Sequence, residues 1–122
     1  MYASQIKEVQ DKSCIPDPSG YKILVATPSV EEKTSGGVIR PDSLRKLEEV
    51  ASIFGYVVSV GPDAYKDENK FPSGPWCKAG DWVIFRSYSG TRLKVEDQEF
   101  RLINDDTVEA VVESPAKIQR AI

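Results

Sequence analysis

Residues 92–112 read RLKVEDQEFRLINDDTVEAVV, and this stretch decides the fold class. Leu93 and Val95 alternate with charged residues. After the acidic break at Glu96-Asp97-Gln98, Phe100 and Leu102 do the same. Alternation with a period of two marks strands with one wet face and one buried face. The pattern predicts a hairpin, Arg92–Val95 with Glu99–Ile103, turning at Glu96-Asp97-Gln98. Asn104-Asp105-Asp106 then reads as a turn, because short polar side chains hydrogen-bond their own backbone there. Val108–Val112 is a closing strand.

The same grammar extends toward the N-terminus. Ala79-Gly80-Asp81 turns into a strand at Trp82–Arg86, which stops at Tyr88-Ser89-Gly90. Ile53–Val60 is another strand, weakened at its start by Gly55 and ended by Gly61-Pro62-Asp63. Ala64–Lys78, with Pro72, Gly74 and Pro75, reads as irregular. Tyr21–Ala26 is the first strand, and its contiguous Ile23-Leu24-Val25 suits burial on both faces. Trp82, Phe85 and Phe100 are the expected aromatic core. Short strands separated by Gly, Pro and Asp turns predict an all-β fold, a small barrel or sandwich.

Between the first two strands the composition changes. Thr27–Asp42 contains Pro28, Glu31-Glu32-Lys33, Gly36-Gly37 and Pro41, which suit a long loop. One apolar island, Val38-Ile39, stands inside it. Ser43–Ala51 has a helical pattern with Leu44, Leu47 and Val50 or Ala51 on one face. A helix this short is marginal in water unless it docks on something. The barrel is expected over residues 21–113, with a polar extension at 1–20 and a flexible tail at 114–122.

Composition narrows the function. The 122 residues carry a net charge of -3, and basic residues are dispersed among acidic ones, so a phosphate-binding surface is not expected. There is no histidine, the commonest general base and neutral metal ligand. Cys14 and Cys77 lack the spacing of a metal-ligand pair and read as reduced thiols. Met1–Cys14 lacks a signal-peptide apolar run, and no segment has the roughly 18 apolar residues of a membrane span. A soluble cytoplasmic protein without cofactor, metal, nucleic acid or membrane partner is expected.

The order of these fragments resembles the GroES-type co-chaperonins, the family of chaperonin lid subunits. Ser35-Gly36-Gly37-Val38-Ile39 followed by Gly55-Tyr56-Val57-Val58-Ser59-Val60-Gly61 is similar to the family's first half. Lys78-Ala79-Gly80-Asp81-Trp82-Val83-Ile84-Phe85 resembles its Lys-Val-Gly-Asp strand opening. Tyr88-Ser89-Gly90-Thr91, Glu99–Ile103, Asn104-Asp105-Asp106 and Val108–Val112 follow in the family's order. The resemblance covers about Tyr21–Glu113. Gly74-Pro75-Trp76-Cys77 and the extended region after Val38-Ile39 resemble the divergent bacteriophage-encoded branch, whose setting would be the host-cell cytoplasm.

The resemblance implies a partly open β-barrel with a mobile loop at about 27–52 and a roof hairpin at about 61–78. It also implies a homoheptameric ring in which the first strand of one subunit pairs with the last strand of the next. Ile23, Leu24 and Val25 would then meet Val108, Val111 and Val112 across that interface. Gly36, Gly37, Val38 and Ile39, with Arg40 and Leu44, would bind the apical grooves of a GroEL-type chaperonin. Tyr88 would face the cavity in which unfolded clients are held, and nucleotide chemistry would belong to the partner.

Arg40 departs from the family's usual three apolar residues. A guanidinium in an apolar groove is costly unless it is paired or reaches water. Either Arg40 lies at the groove's rim, or Leu44 supplies the third anchor, or the chaperonin is a variant one. Two other classes stand beside this reading. Zinc-dependent alcohol dehydrogenases contain a related barrel, but need metal ligands and a dinucleotide-binding domain for which this chain has neither residues nor room. A phage structural or adaptor protein could keep the barrel and lose chaperonin binding.

Overall fold

Three adjacent aliphatic residues can all be buried only where both faces of their strand are covered. That is the position of β1 (Lys22–Ala26), in which Ile23, Leu24 and Val25 are fully buried. The computed structural model describes residues 14–28, 50–113 and 121. β1 is hydrogen-bonded to β2 (Phe54–Val60) on one side and to β5 (Gln98–Asn104) on the other. β2 pairs with β3 (Trp82–Phe85), β3 with β6 (Val108–Val112), and β5 with β4 (Thr91–Val95). The result is one antiparallel six-stranded sheet in the order β4-β5-β1-β2-β3-β6.

The expected all-β class is therefore found, and the sheet fits a small, partly open barrel. Ile23 and Val25, Val57, Val83 and Phe85, Ile103, and Val108 all meet in one buried cluster, so the sheet curls around them. Its pairing register slips between Leu24 and Val25 and again between Ile84 and Phe85. Such irregularities bend a strand and increase its twist, which helps a sheet close. The opposite face of β1 is covered too: Leu24, Ala26 and Phe100 pack with Ile15, Val58, Leu93, Val95 and Leu102.

The β4–β5 hairpin is tighter than its sequence suggests. Glu96 and Asp97 both have positive φ, 49° and 68°, as a two-residue turn of type I′ requires. Gln98, expected in the turn, instead opens β5 opposite Val95. Nor is one face of β5 wet. Glu99 is 8% exposed and Arg101 is fully buried. Arg101 pairs directly with Val25, and directly opposed residues share a face, so its side chain falls on the interior side.

The stretch between β2 and β3 carries no strand among the described residues, so the expected roof hairpin is replaced by successive turns. Its side chains nevertheless reach the core. Ala64, Tyr65, Phe71 and Cys77 join the central cluster. Phe71 meets Tyr65 and Trp76 edge-on, with ring centroids 4.8 Å apart in both pairs. The Tyr65 hydroxyl lies 3.4 Å from Cys77 Sγ. Burial pushes the ionisation of both groups upward, so Cys77 is a packed thiol and not a reactive one. Cys14 and Cys77 form no disulfide.

A 3-10 turn at Asp105–Thr107 ties the irregular stretch to the barrel. Asp105 Oδ2 accepts the buried Tyr65 N–H at 3.0 Å, and Lys70 donates to Asp106. The Lys70 ammonium holds the Asp106 carboxyl below its ordinary pKa, and the same contact raises that of Lys70.

Candidate functional site

The long excursion between β1 and β2 was expected to carry the contact residues. Gly36, Gly37, Val38, Ile39, Arg40 and Leu44 lie outside the described residues, as does the predicted helix up to Glu49. The structure defines the two places where the excursion meets the barrel. On the first, Thr27 is fully buried; its backbone N–H donates to the Glu99 carbonyl at 3.0 Å. Gln98, also fully buried, donates from Nε2 to the Thr27 carbonyl at 2.9 Å and to the Glu99 carbonyl at 2.7 Å.

On the second stem, Val50 and Ala51 are helical and buried, and Ser52 is 4% exposed. The Ser52 carbonyl accepts from Arg101 Nη1 at 3.2 Å and from the Tyr88 N–H at 3.3 Å. The Ile53 carbonyl accepts the Phe85 N–H at 2.8 Å, where β3 ends. Both stems thus rest on β5 and its neighbours.

Arg101 is the residue the sequence reading missed. Its guanidinium lies 5.3 Å over the Phe85 ring. Burial lowers its pKa from the ordinary value and nearby Arg92 adds to this, while Glu99 opposes both. Glu99 itself is held by a 2.6 Å hydrogen bond from Arg92 Nε. The run Glu99-Phe100-Arg101-Leu102 gave no warning, because a period-two pattern says which residues share a face but not which face is covered. Arg101 is interior because it shares the face of Val25, lies over the Phe85 ring and meets the Ser52 carbonyl.

The expected interface residues fare differently from one another. Ile23, Leu24 and Val25 cannot offer their strand to a neighbour, because β1 already has hydrogen-bonded partners on both sides. Their assignment to a subunit interface is corrected to core. On β6, Val108 is 5% exposed and belongs to the central cluster, while Val111 is 47% exposed and Val112 half-buried. Among the described strands β6 pairs only with β3, so its outer edge is open. Trp76, 44% exposed, lines a shallow groove beside that edge with Val108, Glu109, Ala110 and Val111. Tyr88 is 69% exposed at a turn with φ of 57°, a left-handed conformation uncommon outside glycine.

Comparison with known proteins places this geometry. The Chaperonin 10 Kd subunit family matches residues 17–112, which span β1 through β6 and both stems. The chain belongs to this GroES-type family.

Among its relatives, the co-chaperonin GroES of Solidesulfovibrio magneticus is 35% identical over 97 residues, covering 80% of this chain and 96% of the relative. Co-chaperonin GroES 2 of Mesorhizobium japonicum is 33% identical over 104 residues, covering 85% and 95%. The co-chaperonin GroES of Caulobacter sp. is 35% identical over 97 residues, covering 80% and 96%. GroES-type proteins are chaperone lid subunits and not enzymes, in agreement with the non-enzymatic reading of the sequence. Among the described residues, no helix is long and apolar enough to cross a membrane.

Proposed function

We propose that this chain is a co-chaperonin that assembles into a homoheptameric ring and caps a GroEL-type chaperonin, closing the cage around folding clients. The observation that carries this is the family match across every strand, with relatives named co-chaperonin GroES that align over nearly their whole length. Contact is made by Gly36–Ile39, with Arg40 at the rim of the apical groove and Leu44 as an additional apolar anchor. Full burial of Val38 or Ile39 contributes about 1.5–3 kcal/mol each. Ordering the loop costs about 1–2 kcal/mol per residue in backbone entropy. One arm therefore binds weakly. A ring presents several arms together, and linked weak sites gain roughly 100- to 10,000-fold in avidity. Weak arms also let the lid leave when the partner's nucleotide state changes.

Ring assembly uses the open edge of β6. An unpaired edge strand is an aggregation hazard that closure into a ring removes. The exposed Val111 and Trp76 beside that edge support this surface. Tyr88, exposed on the β3–β4 turn, faces the cavity, and the assembly works in the cytoplasm.

The test is native mass, alone and with a GroEL-type chaperonin in the presence and absence of ATP. The expected result is a ring that forms a larger complex in a nucleotide-dependent way. The double variant Val38→Asp with Ile39→Asp should keep the ring and lose the complex. A monomer at working concentration would overturn the reading. Arg40 in the contact tripeptide favours one alternative, a phage adaptor that kept the barrel. A ring that binds no chaperonin in any nucleotide state would select that alternative.

A further inference from the structure

Two fully buried polar side chains on β5, Gln98 and Arg101, are each incompletely satisfied. Among the described residues Gln98 Oε1 and Arg101 Nε have no hydrogen-bond partner. A buried polar atom left unpaired is a cost, and a buried charge is a larger one. An apolar side chain of similar size would carry neither cost at these positions. Barrel stability alone therefore does not explain why an arginine and a glutamine occupy these positions. What an apolar residue could not do is hold the two backbone carbonyls these side chains reach. Gln98 Nε2 holds that of Thr27, and Arg101 Nη1 holds that of Ser52.

Those carbonyls stand at opposite ends of the excursion between β1 and β2. We propose that Gln98 and Arg101 are positioning residues, a clamp on one strand that fixes both stems of residues 28–51 to the barrel and so sets where that segment departs toward a chaperonin. The second half of this proposal rests on the reading of the segment as the chaperonin contact; the clamp itself does not.

The two grips differ in kind. At Thr27, the backbone N–H also bonds to the Glu99 carbonyl, so Gln98 reinforces a ladder-like pairing. At Ser52, the carbonyl accepts from both Arg101 and the Tyr88 amide. The guanidinium is held in turn by the Phe85 ring, so one side chain couples the stem to the end of β3. Loss of Arg101 should loosen the second stem and the Tyr88 turn together. A loosened stem adds residues that must be ordered at every arm on binding, and the loss recurs around the ring.

The test uses the full chain and two variants, Arg101→Met and Gln98→Leu, with Arg101→Lys as the conservative control. Amide hydrogen exchange of the ring alone reads the clamp. In Arg101→Met, exchange at Tyr88 and Ile53 should rise at least tenfold while Val57, inside the sheet, is unchanged. In Gln98→Leu the rise should appear at Thr27. Arg101→Lys, which keeps a cationic donor, should restore much of the protection at Tyr88. Affinity for a GroEL-type chaperonin with ATP should fall at least tenfold in Arg101→Met, with the protection of the sheet at Val57 retained.

Unchanged exchange at Tyr88 and Thr27 in both variants would overturn the clamp. Increased exchange with undiminished affinity would overturn its role in positioning. If the parent protein binds no chaperonin, the proposed function fails instead, and the exchange data still decide the clamp. Should Arg101→Met not fold, Gln98→Leu carries the same decision at the first stem.

Discussion

Gly90 has little freedom to change. It follows Tyr88 into β4 with φ of 79°, and a Cβ there would run into the Leu102 carbonyl and sit 2.9 Å from Ile103 Cγ2. The obstruction is backbone on a central part of β5, which cannot swing aside. Gly90→Ala should therefore destabilise the barrel by about 2 kcal/mol or more, combining a strained φ with a steric clash. Urea unfolding at fixed protomer concentration would measure this, and a loss under about 0.5 kcal/mol, the level of an ordinary surface change, would refute it. The sequence marks Gly90 as a turn residue. It does not reveal the closeness of Leu102, twelve positions along the chain and across a hairpin.

At the scale of elements, the turns between β2 and β3 are held from outside by the 3-10 turn Asp105–Thr107, and its two aspartates work differently. Asp105 is 5% exposed and satisfies a buried backbone N–H. Asp105→Ala should cost about 1–3 kcal/mol, because Tyr65 N–H would be left buried without its acceptor. Asp106 and Lys70 form a surface pair, their side chains 38% and 48% exposed, and such pairs contribute little. The sign of their pH dependence follows from the shifts. The pKa of Asp106 is lowered by folding, so its contribution is present above the unfolded carboxyl value of about 4 and is lost as pH falls through the folded one. That of Lys70 is raised, so its share is complete below about 10.4 and is lost as pH rises through the folded value. Asp106→Asn should thus be slightly less stable than the parent at neutral pH and indistinguishable from it in strong acid. A stability gap that widens on acidification would contradict the assignment.

This element also shows where sequence reading stops. Pro72, Gly74 and Pro75 correctly announced a stretch without strands. Tyr65, Phe71 and Cys77 carry no periodic signal, so their burial was not legible. It depends on the barrel's open side being there to receive them.

For the whole molecule, the sheet order leaves β4 and β6 as the end strands among the described residues, and β6 is bordered by the exposed apolar side chains Val111 and Trp76. Val111→Asp should leave the far-UV spectrum unchanged and shift native mass from ring to monomer, because it places a charge where apolar surface would be covered. Persistence of the ring in this variant would move the assembly surface away from β6. The expected pairing of β1 with a neighbour's β6 failed for a reason that composition cannot carry. An apolar strand buried on both faces looks the same whether its edges are filled by its own chain or by another.

The sequence by itself determined the strands, the order in which they occur, the family and the place of the long excursion between the first two strands. Each of these depends on neighbours close along the chain: period-two alternation, turn residues, and fragments in a set order. Only the tertiary structure decided that β1 lies inside the sheet, that Arg101 is interior, and that both stems of the excursion rest on β5. Those facts depend on residues far apart along the chain, such as Ile23 with Val60, Ser52 with Arg101 and Thr27 with Gln98. Burial is a property of what packs over a side chain, and no local pattern specifies that covering.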